Sequence, residues 1–292
     1  MTGIGVWVQA ARPRTLSAAV VPVLLGGAIA ADLGALNPTV VICALLCAVL
    51  LQIAANFAND YFDWRQGADT HERLGPVRVT QAGLASPHAV IKATAWTLVM
   101  AAGCGVYLIA QGGYPILIIG LVAMLTAIAY TMTPFKLAYR GLGEVCAFAF
   151  FGPIAVLGTL QAQLVAITPL TLGLSCPVGL WVAAIMLVNN LRDHHSDADC
   201  GKRTLVVRFG VRFGRLLYGT LITSGFAIPC ALVAAGLLDA KALLVLVAIP
   251  LTIAPTQAVF APIDGPRLNQ ALGQTARLTL VAGSLLALGV AL

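Results

Sequence analysis

Runs of about 20 mostly apolar residues, repeated along nearly the whole chain, constrain this sequence more than any other feature. A helix needs about that length to cross a hydrocarbon core, and only helices and closed barrels satisfy their backbone polar groups there. Runs of this kind occur at about 15–33, 38–62, 88–111, 114–132, 144–162, 169–192, 213–236, 241–261 and 275–292. They predict an all-α, polytopic membrane helical bundle with nine transmembrane helices, forming a single domain over 1–292. With 60% hydrophobic and 10% charged residues in 292, an ordinary soluble domain is excluded. The first run lacks a short apolar core followed by a cleavage site, so it reads as a retained span rather than a removed signal.

The cations give an orientation. Of the 17 Lys and Arg residues, all but Lys241 lie before the first run or in and beside the loops after runs two, four, six and eight. This positive-inside pattern predicts an N-terminus in the cytoplasm and a C-terminus outside. The net charge of +6 then reflects topology and attraction to anionic membrane lipid, and nucleic acid is not needed as a partner.

Two polar stretches interrupt the apolar plan, and both fall on the cytoplasmic side. In the first, Asn56, Asn59, Asp60 and Asp63 fall at i, i+3, i+4 and i+7, on one face of the last turns of the second run. A carboxylate in a spanning helix costs about 2.5–3.5 kcal/mol on insertion scales, so acids so placed face a wet or metal-filled cavity. The second stretch, MLVNNLRDHHSDADCGKRTLVVRFG from Met186, repeats the Asn-to-Asp spacing: Asn59 to Asp63 matches Asn189 to Asp193. Asp197 extends the second face by one turn, and Asp69 and Asp199 each lie six residues beyond the shared Asp. One such motif would read as a solvated helix end. Two matching motifs on one membrane side argue for a shared site.

Between runs two and three, Gly67, Gly75, Pro76 and Gly83 punctuate a long loop that is expected to cap the cytoplasmic mouth. Arg12 and Arg14, at the foot of the first run, suit interfacial snorkelling or a second use beside an anion. Tyr130 and Tyr139 flank the loop after run four; they suit an interfacial belt, or aromatic faces beside a reacting cation. Lys202, Arg203 and Arg208 follow the second acids closely. Acids alone would repel an anion, whereas acids, Mg²⁺ and basic side chains together make a diphosphate site. A diphosphate joined to a polyprenyl tail also suits the apolar bundle, since each buried CH₂ gains roughly 0.8 kcal/mol.

The strings ANFANDYFDWRQGADT and NNLRDHHSDADCGKRTLVVRFG resemble the UbiA superfamily of intramembrane aromatic prenyltransferases. ARPRTL with VVPVLLG, HERLGPVRVTQAG, YRGLGE and GKRTLVVR look like its menaquinone branch, so the resemblance covers most of residues 11–215. It implies a nine-helix bundle, Mg²⁺ dependence, and transfer of a polyprenyl group from a polyprenyl diphosphate to 1,4-dihydroxy-2-naphthoate with loss of CO₂. Carried over by position, it implies Mg²⁺ and catalysis at Asp60, Asp63, Asp193 and Asp197, with Asp69 as a further metal ligand. Asn56, Asn59 and Asn190 would bind substrate, Arg73, Arg78 and Lys202 phosphate oxygens, and Arg12, Arg14, Tyr130 and Tyr139 would line the site. One departure stands out: the superfamily's usual last acid of the first motif falls on Gly67, and the acid here is Asp69. Other aromatic acceptors, 4-hydroxybenzoate or homogentisate, remain open. A secondary transporter would also show repeated half-motifs, although its site would lie near the midplane.

Overall fold

The computed structural model describes residues 3–67, 75 and 77–292, and all regular structure among them is helical. The elements run α1 Gly3–Ala11, α2 Ser17–Asp32, α3 Pro38–Arg65, α4 Pro87–Gly112, α5 Tyr114–Ala129, α6 Gly143–Ala149, α7 Ala155–Ala162, α8 Pro169–Arg192, α9 His194–Asp199, α10 Leu205–Ala234, α11 Ile253–Phe260 and α12 Gly265–Ala291. A π turn, Phe150–Ile154, joins α6 to α7, and a 3₁₀ segment, Ala240–Thr252, leads into α11.

The starts of the long helices are written in short sequence signals. Asn37, Ser86 and Thr168 each accept a hydrogen bond from the first turn, and each is followed by a proline at the first helical position. A proline there loses no helical bond, and its fixed φ suits the helix. Thr168 and Thr171 complete a capping box. Gly113, at φ +72°, turns the chain between α4 and α5 in a conformation that only glycine adopts freely. Pro153 sits in the π turn, where its missing N–H and its ring are accommodated by a widened helix.

Among the described residues seven helices are long and apolar enough to cross a membrane, or eight if the bent pair Gly3–Thr15 and Ser17–Asp32 counts as one span, where the sequence predicts nine. The difference is α5. Its 16 residues rise about 24 Å, short of a hydrocarbon core of about 30 Å. Two helices also begin earlier than the apolar runs suggest: α10 at Leu205 and α12 at Gly265. Hydropathy ends where lipid ends, while the helix continues through the polar boundary.

α8 is the central element, the most enclosed of the candidate spans. Trp181, Leu187 and Leu191 on it are fully buried, and α2, α6, α10 and α12 pack against it. Apolar side chains gain little by leaving lipid for a protein interior, so close packing of small residues holds such a bundle. A Cβ on Gly179 would lie 2.6 Å from the Phe148 carbonyl oxygen, and one on Gly152 would lie 2.9 Å from the Gly179 Cα. Gly26 likewise meets Thr159, whereas Gly103 and Gly105 face open space. At the polar end, Val6, Ala10, Phe57, Val79 and Val90 form a small separate core that seats the described part of the loop beneath α1 and against α3.

Candidate active site

The polar ends of α3 and α8–α9 meet at one end of the bundle, and the link between them is traceable atom by atom. Asp63, on the last turn of α3, takes 2.7 Å from Arg78 Nη2 on one oxygen and 3.3 Å from the Tyr139 hydroxyl on the other. Lys202 Nζ stands 5.5 Å above the Tyr139 ring and pairs with Asp197 Oδ1 at 3.3 Å. Lys136 Nζ approaches the same ring, 5.0 Å from its centroid. A single tyrosine thus bridges the two acidic motifs.

The local backbone explains the placement. α8 ends at Arg192, and the Asp197 N–H donates to the Asp193 carbonyl at 2.7 Å, so α9 carries Asp197 back over the end of α8. The Lys202 N–H then closes onto the Asp197 carbonyl at 2.7 Å, which returns the lysine to its own acid. The Arg203 N–H donates to the Tyr139 carbonyl at 2.9 Å, and Arg208 donates to the Arg140 carbonyl, lacing the loop after α5 to the loop after α9.

Asp60, placed by the sequence among the metal ligands and catalytic acids, has both oxygens occupied by backbone. Oδ2 accepts from the Val79 N–H at 3.1 Å and Oδ1 from the Thr80 N–H at 3.0 Å. It clamps the described part of the loop to α3. Asp193 is held bidentate by Arg192, Nε to Oδ1 at 2.7 Å and Nη2 to Oδ2 at 2.6 Å. Asn59 accepts from the Thr131 hydroxyl, and Asn56 donates to the Ala11 carbonyl and to Thr15 Oγ1 at the α1–α2 bend. Asn190 donates to Glu144 Oε1 at 2.8 Å, and the Tyr130 hydroxyl donates to Met186 Sδ at 3.4 Å. Arg12 forms the left-handed bend residue between α1 and α2, and Arg14 is exposed beside it. Asp69 and Arg73 lie outside the described residues.

Three buried groups of the site are not singled out by sequence. Arg192 reads there as one more cytoplasmic cation, yet it is 2% exposed and ties Asp193, Asn189 and Asn269 of α12 together. Thr131 and Glu144 fall in the sequence at the end of run four and the start of run five, and their partners are 72 and 46 positions away. A cation directly beside a motif acid at the end of an apolar run is the signal for Arg192. No local signal marks the other two.

The electrostatics are those of a site built for an anion and a cation together. Burial pushes the Asp197 carboxyl up to about 6, with Lys202 pulling it down and Asp193 and Asp63 pushing it further up. Burial alone would lower the Lys202 ammonium, but Asp197, Asp63 and Asp193 hold it above its ordinary value. Among the described residues no three Asp, Glu, His or Cys side chains stand in direct metal-binding spacing; Arg78, Arg192 and Lys202 each neutralise one acid instead. The donors are nonetheless hard carboxylate oxygens, and Asp197 Oδ2 is buried with no hydrogen-bond partner among the described residues. Such a set would fit a divalent cation, with Arg78, Arg192 and Lys202 available to an anion beside it.

The chain is 32% identical to the 1,4-dihydroxy-2-naphthoate octaprenyltransferase of Escherichia coli, over 97% of this chain and 94% of that one. It is 38% identical to the protein of the same name from Mycobacterium tuberculosis, over 77% of each. A UbiA homologue from Archaeoglobus fulgidus, solved bound to GPP and Mg²⁺, has the same fold, with a TM-score of 0.66 at 13% identity over 96% of this chain and 99% of that one. The model of the UbiA prenyltransferase family matches residues 19–281, and the chain belongs to that family.

Proposed function

We propose that this prenyltransferase moves a polyprenyl group from a polyprenyl diphosphate to 1,4-dihydroxy-2-naphthoate, releasing diphosphate and CO₂ and leaving demethylmenaquinol, the reduced form of a demethylmenaquinone. The observation that carries this reading is the bridge from Asp63 through Tyr139 and Lys202 to Asp197, which gathers acids and bases into one focus at the end of an apolar bundle. Relatives bearing that activity in their names align over most of the chain and support the choice of acceptor.

Asp63, Asp193 and Asp197 would hold Mg²⁺, with Asp69 as a further ligand assigned by family resemblance. When bound, the ion supplies charge neutralisation to the departing diphosphate. Lys202, Arg78 and Arg73 bind phosphate oxygens, and Arg12 and Arg14 add positive potential at the mouth. Asn56 and Asn59 set the α3 end of the site, and Asn190 sets the α8 end. Asp60 acts by position, holding the Val79–Thr80 turn over the site so that water is kept from the reacting carbon. Tyr139 and Tyr130 are assigned to stabilising the allylic cation, as an aromatic face does for such a charge. The positive-inside pattern supports a site at the cytoplasmic face of a bacterial inner membrane. Counting the bent pair and α5 as crossings besides the seven long helices gives nine.

The test uses the purified full chain with Mg²⁺, a polyprenyl diphosphate and 1,4-dihydroxy-2-naphthoate. Equal release of diphosphate and CO₂, lost with EDTA, is expected. Faster transfer to 4-hydroxybenzoate or homogentisate would overturn the choice of acceptor, and vesicle uptake of substrate without product would favour a transporter.

A further inference from the structure

Glu144 stands beside the acidic site and has no part in the chemistry described so far. It lies in the first turn of α6 and is 5% exposed. Oε1 accepts from Asn190 at 2.8 Å, while Oε2 is buried with no hydrogen-bond partner among the described residues. The residue's own backbone N–H also acts on the carboxylate. A dry, half-satisfied carboxylate is a costly thing to keep, and such groups call for an explanation such as a catalytic role or an absent ligand.

Its neighbours say what that ligand is. A Cβ on Gly143 would lie 3.0 Å from the Tyr130 hydroxyl and 3.8 Å from Asn190 Nδ2, so Tyr130, Asn190 and the start of α6 share one corner. The Tyr130 hydroxyl lies within electrostatic reach of Glu144, Asp63 and Asp197 alike. Through Asn190, three residues before Asp193, the corner adjoins the α8 end of the acidic site. Asn190 precedes Asp193 by three residues, which places it about 4.5 Å deeper along the axis of α8. Glu144 is thus on the apolar side of the acids, where the tail leaves the diphosphate and the acceptor ring must approach. The ionisable groups that act on the Tyr130 hydroxyl at this corner are Glu144, Cys146, Asp63 and Asp197, and Asn190 is the side chain that acts on Glu144 itself.

We propose that Glu144 is the base that takes, and then returns, the 1-hydroxyl proton of the aromatic acceptor. The proposal rests on the naphthoate reading above. As ring carbon 2 attacks the prenyl C1, the C1–O bond breaks and its electron pair leaves with diphosphate. The 1-hydroxyl proton passes to Glu144, the hydroxyl becomes a ketone, and carbon 2 now bears both prenyl and carboxylate. That β-keto carboxylate loses CO₂. The electron pair left behind restores the ring as the ketone oxygen takes the proton back from Glu144. The carboxylate is regenerated, and no oxidant is required. Asn190, bonded to the other oxygen, fixes the direction in which the free oxygen points.

The test compares wild type, Glu144→Gln and Glu144→Asp as full-length protein in nanodiscs, with geranyl diphosphate, Mg²⁺ and 1,4-dihydroxy-2-naphthoate. Glutamine keeps an acceptor for Asn190 and removes the base. Its kcat is expected to fall about 100-fold or more, the usual worth of general acid–base catalysis, with KM for geranyl diphosphate unchanged. Thermal stabilisation by geranyl S-thiolodiphosphate with Mg²⁺ should equal that of wild type, and Glu144→Asp should keep an intermediate rate. Raising the pH toward ionisation of the naphthol itself should restore much of the glutamine variant's rate. A wild-type kcat in Glu144→Gln overturns the proposal, as does a loss without alkaline recovery or a loss of the donor's stabilising effect, either of which assigns Glu144 to holding Asn190. A wild type inert toward the naphthoate but active on another acceptor overturns the functional reading and this proposal with it, and is distinct from a defect confined to the variants.

Discussion

Lys202 answers three carboxylates at once, and so remains charged in a place where burial would otherwise favour the neutral amine. Its removal takes away a charge-assisted hydrogen bond worth about 1.5–3 kcal/mol, roughly 10- to 100-fold in affinity. Lys202→Ala is therefore expected to raise KM for the prenyl diphosphate by about tenfold or more while KM for the aromatic acceptor changes little. Steady-state kinetics with each substrate varied in turn checks this, and equal shifts in both would remove the phosphate role.

Asp197 gives a pH dependence whose sign follows from its burial. Its carboxyl is held near 6 rather than 3.8, so between those values the folded chain keeps a proton that the unfolded chain has released. That contribution favours folding fully below the unfolded value and is lost as pH rises through about 6. If Asp197 holds Mg²⁺ as proposed, the metal must displace the same proton, and apparent Mg²⁺ affinity should weaken by about fourfold between pH 7 and pH 5.5. Mg²⁺ titrations of activity at the two pH values measure it, and excess Mg²⁺ should recover the rate at the lower pH.

The residue scale also marks a limit of the sequence. Asp60 and Asp63 look alike as two acids on one helical face. Their different partners come from residues 78–80, 15 to 20 positions downstream, so only the fold separates a loop clamp from an acid paired with a single arginine.

Among the elements, what was legible depended on whether the signal was local. The Asn-Pro, Ser-Pro and Thr-Pro starts of α3, α4 and α8 are visible in three or four letters because a cap is made within one turn. The start of α10 is not: Leu205–Ala234 carries a break at Gly210, where φ is 85°, and the polar turn before it has no apolar run to announce it. The π turn at Phe150–Ile154 is likewise hidden, because an apolar run reads the same whether its helix is regular or widened. The Asp60 clamp makes a prediction at this scale. Asp60→Asn would turn an amide N–H₂ toward a backbone N–H and leave one buried donor unpaired, at a cost of about 1–3 kcal/mol. Hydrogen exchange at Val79 and Thr80 should then accelerate by about tenfold or more while amides in the middle of α8 keep their protection. Unchanged exchange at both positions would show that the small core around Val79 alone seats the loop.

For the molecule as a whole, composition and the apolar runs were enough to predict a helical membrane bundle, because length and hydropathy are what a bilayer selects. The repeated Asn-to-Asp spacing was enough to predict two acid-tipped helices. That they meet, and that a tyrosine from a third loop joins them, depends on how α3, α8 and the loop after α5 pack, which no spacing encodes. The most direct test of the central claim is a double-mutant cycle on Mg²⁺-dependent binding of geranyl S-thiolodiphosphate to wild type, Asp63→Ala, Asp197→Ala and the pair. If the two motifs hold one diphosphate, each single variant should lose most of the affinity and the pair should lose little more. Additive losses, or undiminished binding in either single variant, would contradict a shared site.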